Sequence, residues 1–160
     1  MSARAKPRTA VPAARTALSA REWAGFPFLG RAVIEARVSA RIGPCLLAVD
    51  TPSIHHRRGE ARLAFGLRGG LPDAPVTRHS APLELPASIT LPDGGRVRAF
   101  RTRLVMVLGE RAELPRLWLV DADEFDDGLT LCAPALQRYG LDPSRPLHSL
   151  GVPSHPLMEG

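Results

Sequence analysis

Short runs of apolar residues alternate along the chain with clusters of glycine, proline and polar residues. Runs of about four to eight residues with such punctuation are typical of β-strands, and none reaches the roughly 18 residues of a membrane helix. Strands are predicted at residues 32–38, 45–49, 96–100, 102–108 and 114–120, with extended chain at 75–92. A short helix is predicted between Pro134 and Gly140, since proline suits a first helical turn and glycine a helix end. Residues 60–67 also have a weak helical pattern.

One apolar run ends in an acid. Residues 32–50 are predicted to form a hairpin whose second strand, Cys45 to Val49, is apolar at every position and is therefore buried on both faces. Asp50 follows directly. A carboxylate at the end of a buried strand is costly unless its charge is stabilised or its proton is shared. Asp50 is therefore either a functional carboxylate or a turn residue that reaches water, and the residues alone leave both alternatives open.

A tight turn is predicted further along the chain. Pro92, Asp93, Gly94 and Gly95 stand between two runs of strand type. This composition favours a short connection between antiparallel strands. The sequence therefore predicts a hairpin at residues 89–100.

The net charge of +5 belongs to the N-terminal end of the chain. Residues 1–21 hold five of the 21 basic residues and no acid, so the other 16 balance the 16 acids. We predict a disordered basic arm at residues 1–22, one domain at 23–145 and an extended tail at 146–160. The arm is interpreted as a linker from a longer precursor, with a transit peptide or a weak nucleic-acid contact as alternatives.

No metal or cofactor site is predicted. Cys45 and Cys132 are too few for a disulfide framework and lie in apolar runs, so we expect buried thiols. The acidic loop at 121–127 does not match the ligand spacing of an EF-hand. His55 and His56 are adjacent, so in a strand their side chains point to opposite faces.

The order of these segments resembles the retropepsin-like aspartic proteases of retroviruses and retrotransposon polyproteins, over about residues 31–142. The resemblance rests on Val49-Asp50-Thr51-Pro52-Ser53, on Leu91-Pro92-Asp93-Gly94 and on Thr130-Leu131-Cys132 before a predicted helix. The family has glycine where this chain has Pro52 and Cys132. Pro52 has no N–H to donate to the carboxylate, and the side chain of Cys132 is expected to crowd the active loop.

The resemblance implies a closed, mostly antiparallel β-barrel with one short C-terminal helix, acting as a homodimer. The implied residues are the catalytic Asp50; the active-site loop Thr51, Pro52 and Ser53; the flap Pro92, Asp93, Gly94 and Gly95; and the second signature Thr130, Leu131 and Cys132. Two copies of Asp50 would share one proton and hydrolyse an extended peptide or polyprotein substrate. The alternatives are an inactive dimerisation or peptide-binding module of the same fold, and an unrelated β domain in which Asp50 is a turn residue.

The expected partners follow from this interpretation. They are a second copy of the chain and an extended peptide, and neither a membrane nor a nucleic acid is expected. The compartment is not readable from the sequence; an intracellular, cytoplasmic location is the default expectation, with the transit peptide as the exception.

Overall fold

The computed structural model describes residues 15–68, 75–125 and 127–153. The chain forms twelve strands within this part: β1 Thr16–Leu18, β2 Arg21–Phe26, β3 Ala32–Ser39, β4 Cys45–Arg57, β5 Glu60–Arg68, β6 Val76–Thr90, β7 Arg96–Arg103, β8 Met106–Leu108, β9 Arg111–Glu113, β10 Arg116–Asp121, β11 Leu129–Cys132 and β12 Tyr139–Leu141. The prediction of an all-β fold is confirmed. None of the described helical turns has the length and apolarity to cross a bilayer.

Ten strands form one sheet in the order β10-β7-β6-β5-β4-β11-β3-β2-β8-β9, and β1 pairs with β12 in a small separate sheet. An additional parallel pairing joins β10 to β4. Hydrogen-bonded neighbours therefore follow one another in a circuit from β4 through β5, β6, β7 and β10 back to β4. The hairpin predicted around residues 92–95 is confirmed, because β6 and β7 pair on either side of that turn.

Strand β4 is buried on both faces over its first five residues, as predicted. Cys45, Leu47 and Val49 contribute to the main hydrophobic core, whereas Leu46 packs in a second, smaller cluster on the opposite face of the sheet. The alternation of side chains along a strand places them on these two faces. The second half of β4 carries mostly exposed side chains.

The predicted hairpin at residues 32–50 is wrong in its pairing. Strand β3 pairs with β2 and β11, and β11 lies between β3 and β4, with Leu129 opposite Leu47. The strand that separates them comes from about 80 residues later in the chain. Local alternation of apolar residues predicts strands but carries no information about such distant partners.

The helix predicted between Pro134 and Gly140 is wrong as well. Only a 3₁₀ turn forms, at Ala133–Ala135, and the chain continues into β12, which pairs with β1. Residues 60–67 belong to β5, where Leu63, Phe65 and Leu67 are buried at every second position. In both places strand pairing with distant segments outweighs the local helical pattern.

Ordered structure starts before the predicted domain boundary at residue 23 and continues past the one at residue 145. Strand β1 begins at Thr16, and Glu22 of β2 is fully buried. Its Oε2 accepts hydrogen bonds from the Ser19 amide and the Ser149 hydroxyl, both at 2.8 Å, and its Oε1 accepts one from the Leu150 amide at 3.1 Å. These bonds attach the segment around residue 149 to β2. Residues 1–14 and 154–160 of the predicted arm and tail lie outside the described residues.

A second contact fastens the same segment. His148 stacks on Trp23 with ring centroids 4.6 Å apart, and its Nε2 lies 2.6 Å from Glu35 Oε2. Arg21 Nη1 donates to Glu35 Oε1 at 3.0 Å. The hydrogen bond with His148 is the main reason that the pKa of Glu35 lies below its ordinary value of 4.5; desolvation opposes this shift and Arg21 adds to it.

This shift predicts a loss of stability in acid. A carboxyl group with a lowered pKa in the folded state stabilises the fold above its unfolded-state pKa, and the contribution disappears as the pH falls through the folded-state pKa. Glu35→Gln should therefore lower the free energy of unfolding at pH 7 and have a smaller effect near pH 3, measured by urea unfolding. Glu110→Gln, at an exposed position, is the control. An effect of Glu35→Gln that is the same at both pH values would contradict this prediction.

Candidate functional site

Asp50 lies where β4 leaves the core. Val49 before it is buried, and the Asp50 side chain is 35% exposed. On the neighbouring strand β10, Asp121 is opposite Val49, and the amide of Ala122 donates to the Val49 carbonyl at 2.8 Å. The acidic loop after β10 thus starts beside Asp50, and the carboxylate of Asp50 reaches the surface.

The next residues form a bulge. Asp50 is opposite Gly66 and Ser53 is opposite Ala64, so β4 has one more residue than β5 between these two pairs. Thr51 has a φ of 47°, a left-handed conformation that is unusual for a β-branched residue. Pro52 lies inside the bulge, where its missing N–H removes no bond from the ladder. The bulge explains how a proline is accommodated inside a thirteen-residue strand.

Two arginines, from β5 and β6, contact Asp50, and no sequence pattern predicted this contact. Arg68 of β5 places Nη2 3.9 Å from Asp50 Oδ2. Arg78 of β6 donates from Nη1 to the Asp50 carbonyl oxygen at 3.3 Å. Strand β5 pairs with β4, and β6 pairs with β5. Neither pairing was predicted, so no sequence signal connected the two arginines with Asp50.

Gly66 allows the close approach of these groups. A Cβ at this position would lie 2.7 Å from Val76 Cγ1 and 3.1 Å from Asp50 Cβ. The first separation is shorter than two carbon atoms allow and the second is tight, so a side chain here requires the Val76 side chain to move and Asp50 to shift by a few tenths of an ångström. The sequence shows Gly66 within an apolar segment that was interpreted as weakly helical; only in a strand does such a glycine often mark a close approach.

The predicted flap lies elsewhere. Leu91, Pro92 and Gly94 line a cavity of about 370 Å³ together with the loop before β4 and residues of β11. Of the residues of β4 before Asp50, Leu46 lines this cavity, and Asp50 itself does not. Leu46 lies four positions before Asp50 in the strand, which corresponds to about 13 Å. The turn at Pro92, Asp93, Gly94 and Gly95 is therefore not part of the surroundings of Asp50.

The second signature is next to β4 but at its beginning. Thr130 is opposite Leu46, and Leu131 is buried in the main core. The amide of Cys132 donates to Cys45 Sγ at 3.4 Å, and Cys132 Sγ donates to the Pro44 carbonyl at 3.3 Å. The expectation that Cys132 crowds the Asp50 loop is wrong. Antiparallel pairing of β11 with β4 places Cys132 beside Pro44, which is six positions before Asp50.

Both cysteines are buried free thiols, as predicted. Burial raises the pKa of Cys45 to about 11, and it also raises the pKa of Cys132. A thiol with a raised pKa is a poor nucleophile and a poor metal ligand at neutral pH. These side chains therefore contribute packing rather than chemistry.

Metal binding has no support in the described part of the chain. No group of three or more histidine, cysteine or acidic side chains is arranged there to hold an ion. His55 and His56 lie opposite Arg62 and Ala61 on the exposed half of the β4–β5 hairpin. The chemistry available at Asp50 is that of one carboxylate with two guanidinium groups.

No protein-family model and no curated protein matches this chain. A solved structure does: the crystal structure of the protein Lpg0085 with unknown function (DUF785) from Legionella pneumophila, at 13% sequence identity and a TM-score of 0.66. The match covers 82% of this chain and 96% of that one. At this identity the likeness shows a shared fold and carries no function.

The close approach at Gly66 gives a direct test of the site's geometry. Gly66→Ala should lower the free energy of unfolding by about 1–3 kcal/mol, because the new methyl group overlaps Val76 and Asp50. The control is Gly140→Ala in β12, where a Cβ would lie 3.8 Å from its nearest neighbour, Arg15 Cδ. Equal unfolding free energies of the two variants in urea titrations would contradict the geometry.

Proposed function

We propose that this chain is a retropepsin-like domain that binds an extended peptide beside Asp50 without hydrolysing it. The fold supports the retropepsin-like part. A circuit of five hydrogen-bonded strands, β4, β5, β6, β7 and β10, is what a closed barrel requires.

The observation that carries peptide binding is the free edge of β4. Strand β10 pairs with β4 only as far as Val49, whereas β5 pairs with β4 as far as Arg57. Within the described residues, the half of β4 from Thr51 onward therefore has a neighbouring strand on one side only. An exposed strand edge offers main-chain donors and acceptors to a peptide that adds as a further strand. This edge starts next to Asp50.

The absence of hydrolysis is inferred from the groups around the carboxylate. Aspartic hydrolysis needs one protonated and one ionised carboxyl group that share a proton. Asp50 Oδ2 instead lies 3.9 Å from Arg68 Nη2, so the charged neighbour of this carboxylate is a cation of the same chain rather than a second carboxyl group. The Arg68 side chain is 59% exposed, so this ion pair is weak in water and becomes stronger where a bound peptide excludes water.

Pro52 acts in the same direction. In the family that the chain resembles, the residue after threonine donates its N–H to the catalytic carboxylate. Pro52 has no such donor, and the left-handed Thr51 before it is part of a bulge rather than of an open loop. The carboxylate of Asp50 therefore lacks the main-chain support that an active dyad requires.

The second candidate is an active aspartic endopeptidase that forms its dyad across a homodimer. The accessible carboxylate of Asp50 at the end of a buried strand favours it. The two candidates predict opposite results in a cleavage assay: an active peptidase produces fragments of a protein substrate, and an inactive binding module does not.

Incubation with reduced, alkylated casein between pH 3 and pH 7 tests the inference. We expect no fragments by mass spectrometry. The matched variant is Asp50→Asn: fragments that appear with the native chain and disappear with this variant would establish the peptidase and reject the binding module. Pro52→Gly combined with Arg68→Ala restores the missing donor and removes the cation, so any cleavage gained there would identify these residues as the cause of inactivity.

Binding at the free edge has its own measurement. In the presence of a tryptic digest of casein, amide hydrogen exchange should slow within residues 53–57 of β4. Strand β9, Arg111–Glu113, is also paired on one side only among the described strands and serves as the internal control. Unchanged exchange along β4, or equal slowing along β9, would reject a peptide site next to Asp50.

A further inference from the structure

A second surface lies at the opposite end of the buried half of β4. The loop at residues 39–44 and the turn after β6 enclose the cavity of about 370 Å³ described above. Its wall is mainly apolar and consists of Ile42, Pro44, Leu46, Leu91 and Pro92. Thr130 and Cys132 of β11 also line it.

An apolar side chain stands at the rim of this cavity. Ile42 is 92% exposed, more than any other large hydrophobic side chain in the described part of the chain. An isoleucine in water forgoes about 1.5–3 kcal/mol that burial would provide. A second molecule that binds here could bury the projecting side chain of Ile42 and fill the apolar cavity beside it.

The charges on the two sides of the cavity are opposite. Arg41 lies next to Ile42 on the loop, and Asp93 lies between the lining residues Pro92 and Gly94 on the turn. Both side chains are exposed, and neither forms an ion pair with another described residue. Asp93 uses Oδ1 to accept the Gly95 amide at 2.8 Å, which leaves Oδ2 available.

We propose that this face, defined as residues 39–44 and 90–94, binds a second copy of the chain. In a two-fold symmetric dimer the same patch meets itself, so a projection and a cavity on one patch fill each other twice. Each copy's Ile42 enters the cavity of the other copy, and each copy's Arg41 meets the Asp93 of the other. Each face thus offers the other an apolar projection, an apolar cavity and one side chain of each charge.

This dimer differs from the one that the family resemblance implies. The interface begins at Leu46, about 13 Å along β4 from Asp50, and does not bring the two Asp50 carboxylates together. The free edge of β4 stays open to a peptide. Self-association and peptide binding therefore succeed or fail independently.

Sedimentation equilibrium of the full chain, up to millimolar concentration, measures the association. We expect a dimer with a micromolar dissociation constant, since the patch is small. Ile42→Ser should raise that constant about tenfold or more, because the substitution removes the central apolar group from both halves of the interface. Phe28→Ser is the control, since Phe28 is also exposed, at 63%, but lies away from this face.

Charge exchange tests the pairing of the two side chains. Asp93→Asn keeps the acceptor for Gly95 and removes the charge, so it should weaken the dimer. Arg41→Asp and Asp93→Arg should each weaken it more, and the double variant should return the dissociation constant to within about threefold of the native value. Thermal unfolding of each variant confirms that the fold is retained.

Three outcomes overturn the proposal. The first is a native chain that stays monomeric at every concentration. The second is a dimer whose dissociation constant is unaffected by Ile42→Ser, and the third is a double charge variant that binds no more tightly than the single ones. None of these outcomes bears on cleavage or on hydrogen exchange at β4.

Discussion

Strand β4 is buried from both sides over residues 45–49, and the rest of the structure depends on how that burial is achieved. Its odd-numbered side chains complete the main core and its even-numbered ones pack in a second cluster. Strands β10 and β11 supply the neighbours on which this burial depends. A strand in this position leaves little freedom to its neighbours, since a slip of one residue would exchange its two faces.

The end of that double burial determines where chemistry can occur. After Val49 the strand loses its partner on one side, and the next residue is a carboxylate at the surface. A bulge follows that accommodates both a left-handed threonine and a proline. Arg68 and Arg78 then supply positive charge from the other strands.

Part of the site could be predicted from the sequence, and the reason is local. The end of the buried segment just before Asp50, the turn at residues 92–95 and the burial of both cysteines follow from apolar runs and turn chemistry within a few residues. The continuation of β4 to Arg57 was not predicted. The position of that turn relative to Asp50 was not predictable in this way. It depends on which end of β4 lies beside the turn between β6 and β7, and no local pattern specifies that end.

The strands were predicted correctly where local patterns suffice, and the two predicted helices are wrong where pairing with distant strands decides the conformation. Residues 60–67 and 134–140 have weak local preferences, and pairing with β4, β6 and β1 decides their conformation. The hydrogen bonds from Ser149 and Leu150 to Glu22 join positions more than 120 residues apart. Hydrogen bonds between such distant residues form only in the folded chain, so the predicted domain boundaries left out segments that belong to the fold.

The sequence by itself determined an all-β chain in which an apolar, buried run ends at an acid, because alternation, branching and turn residues act over short distances. The tertiary structure decided the rest. In it, β11 lies between β3 and β4, and the turn at residues 92–95 and Cys132 lie away from Asp50. Two arginines, Arg68 and Arg78, contact Asp50. These outcomes depend on strand partners far apart in the chain, whose choice is governed by the packing of the whole core rather than by any single segment.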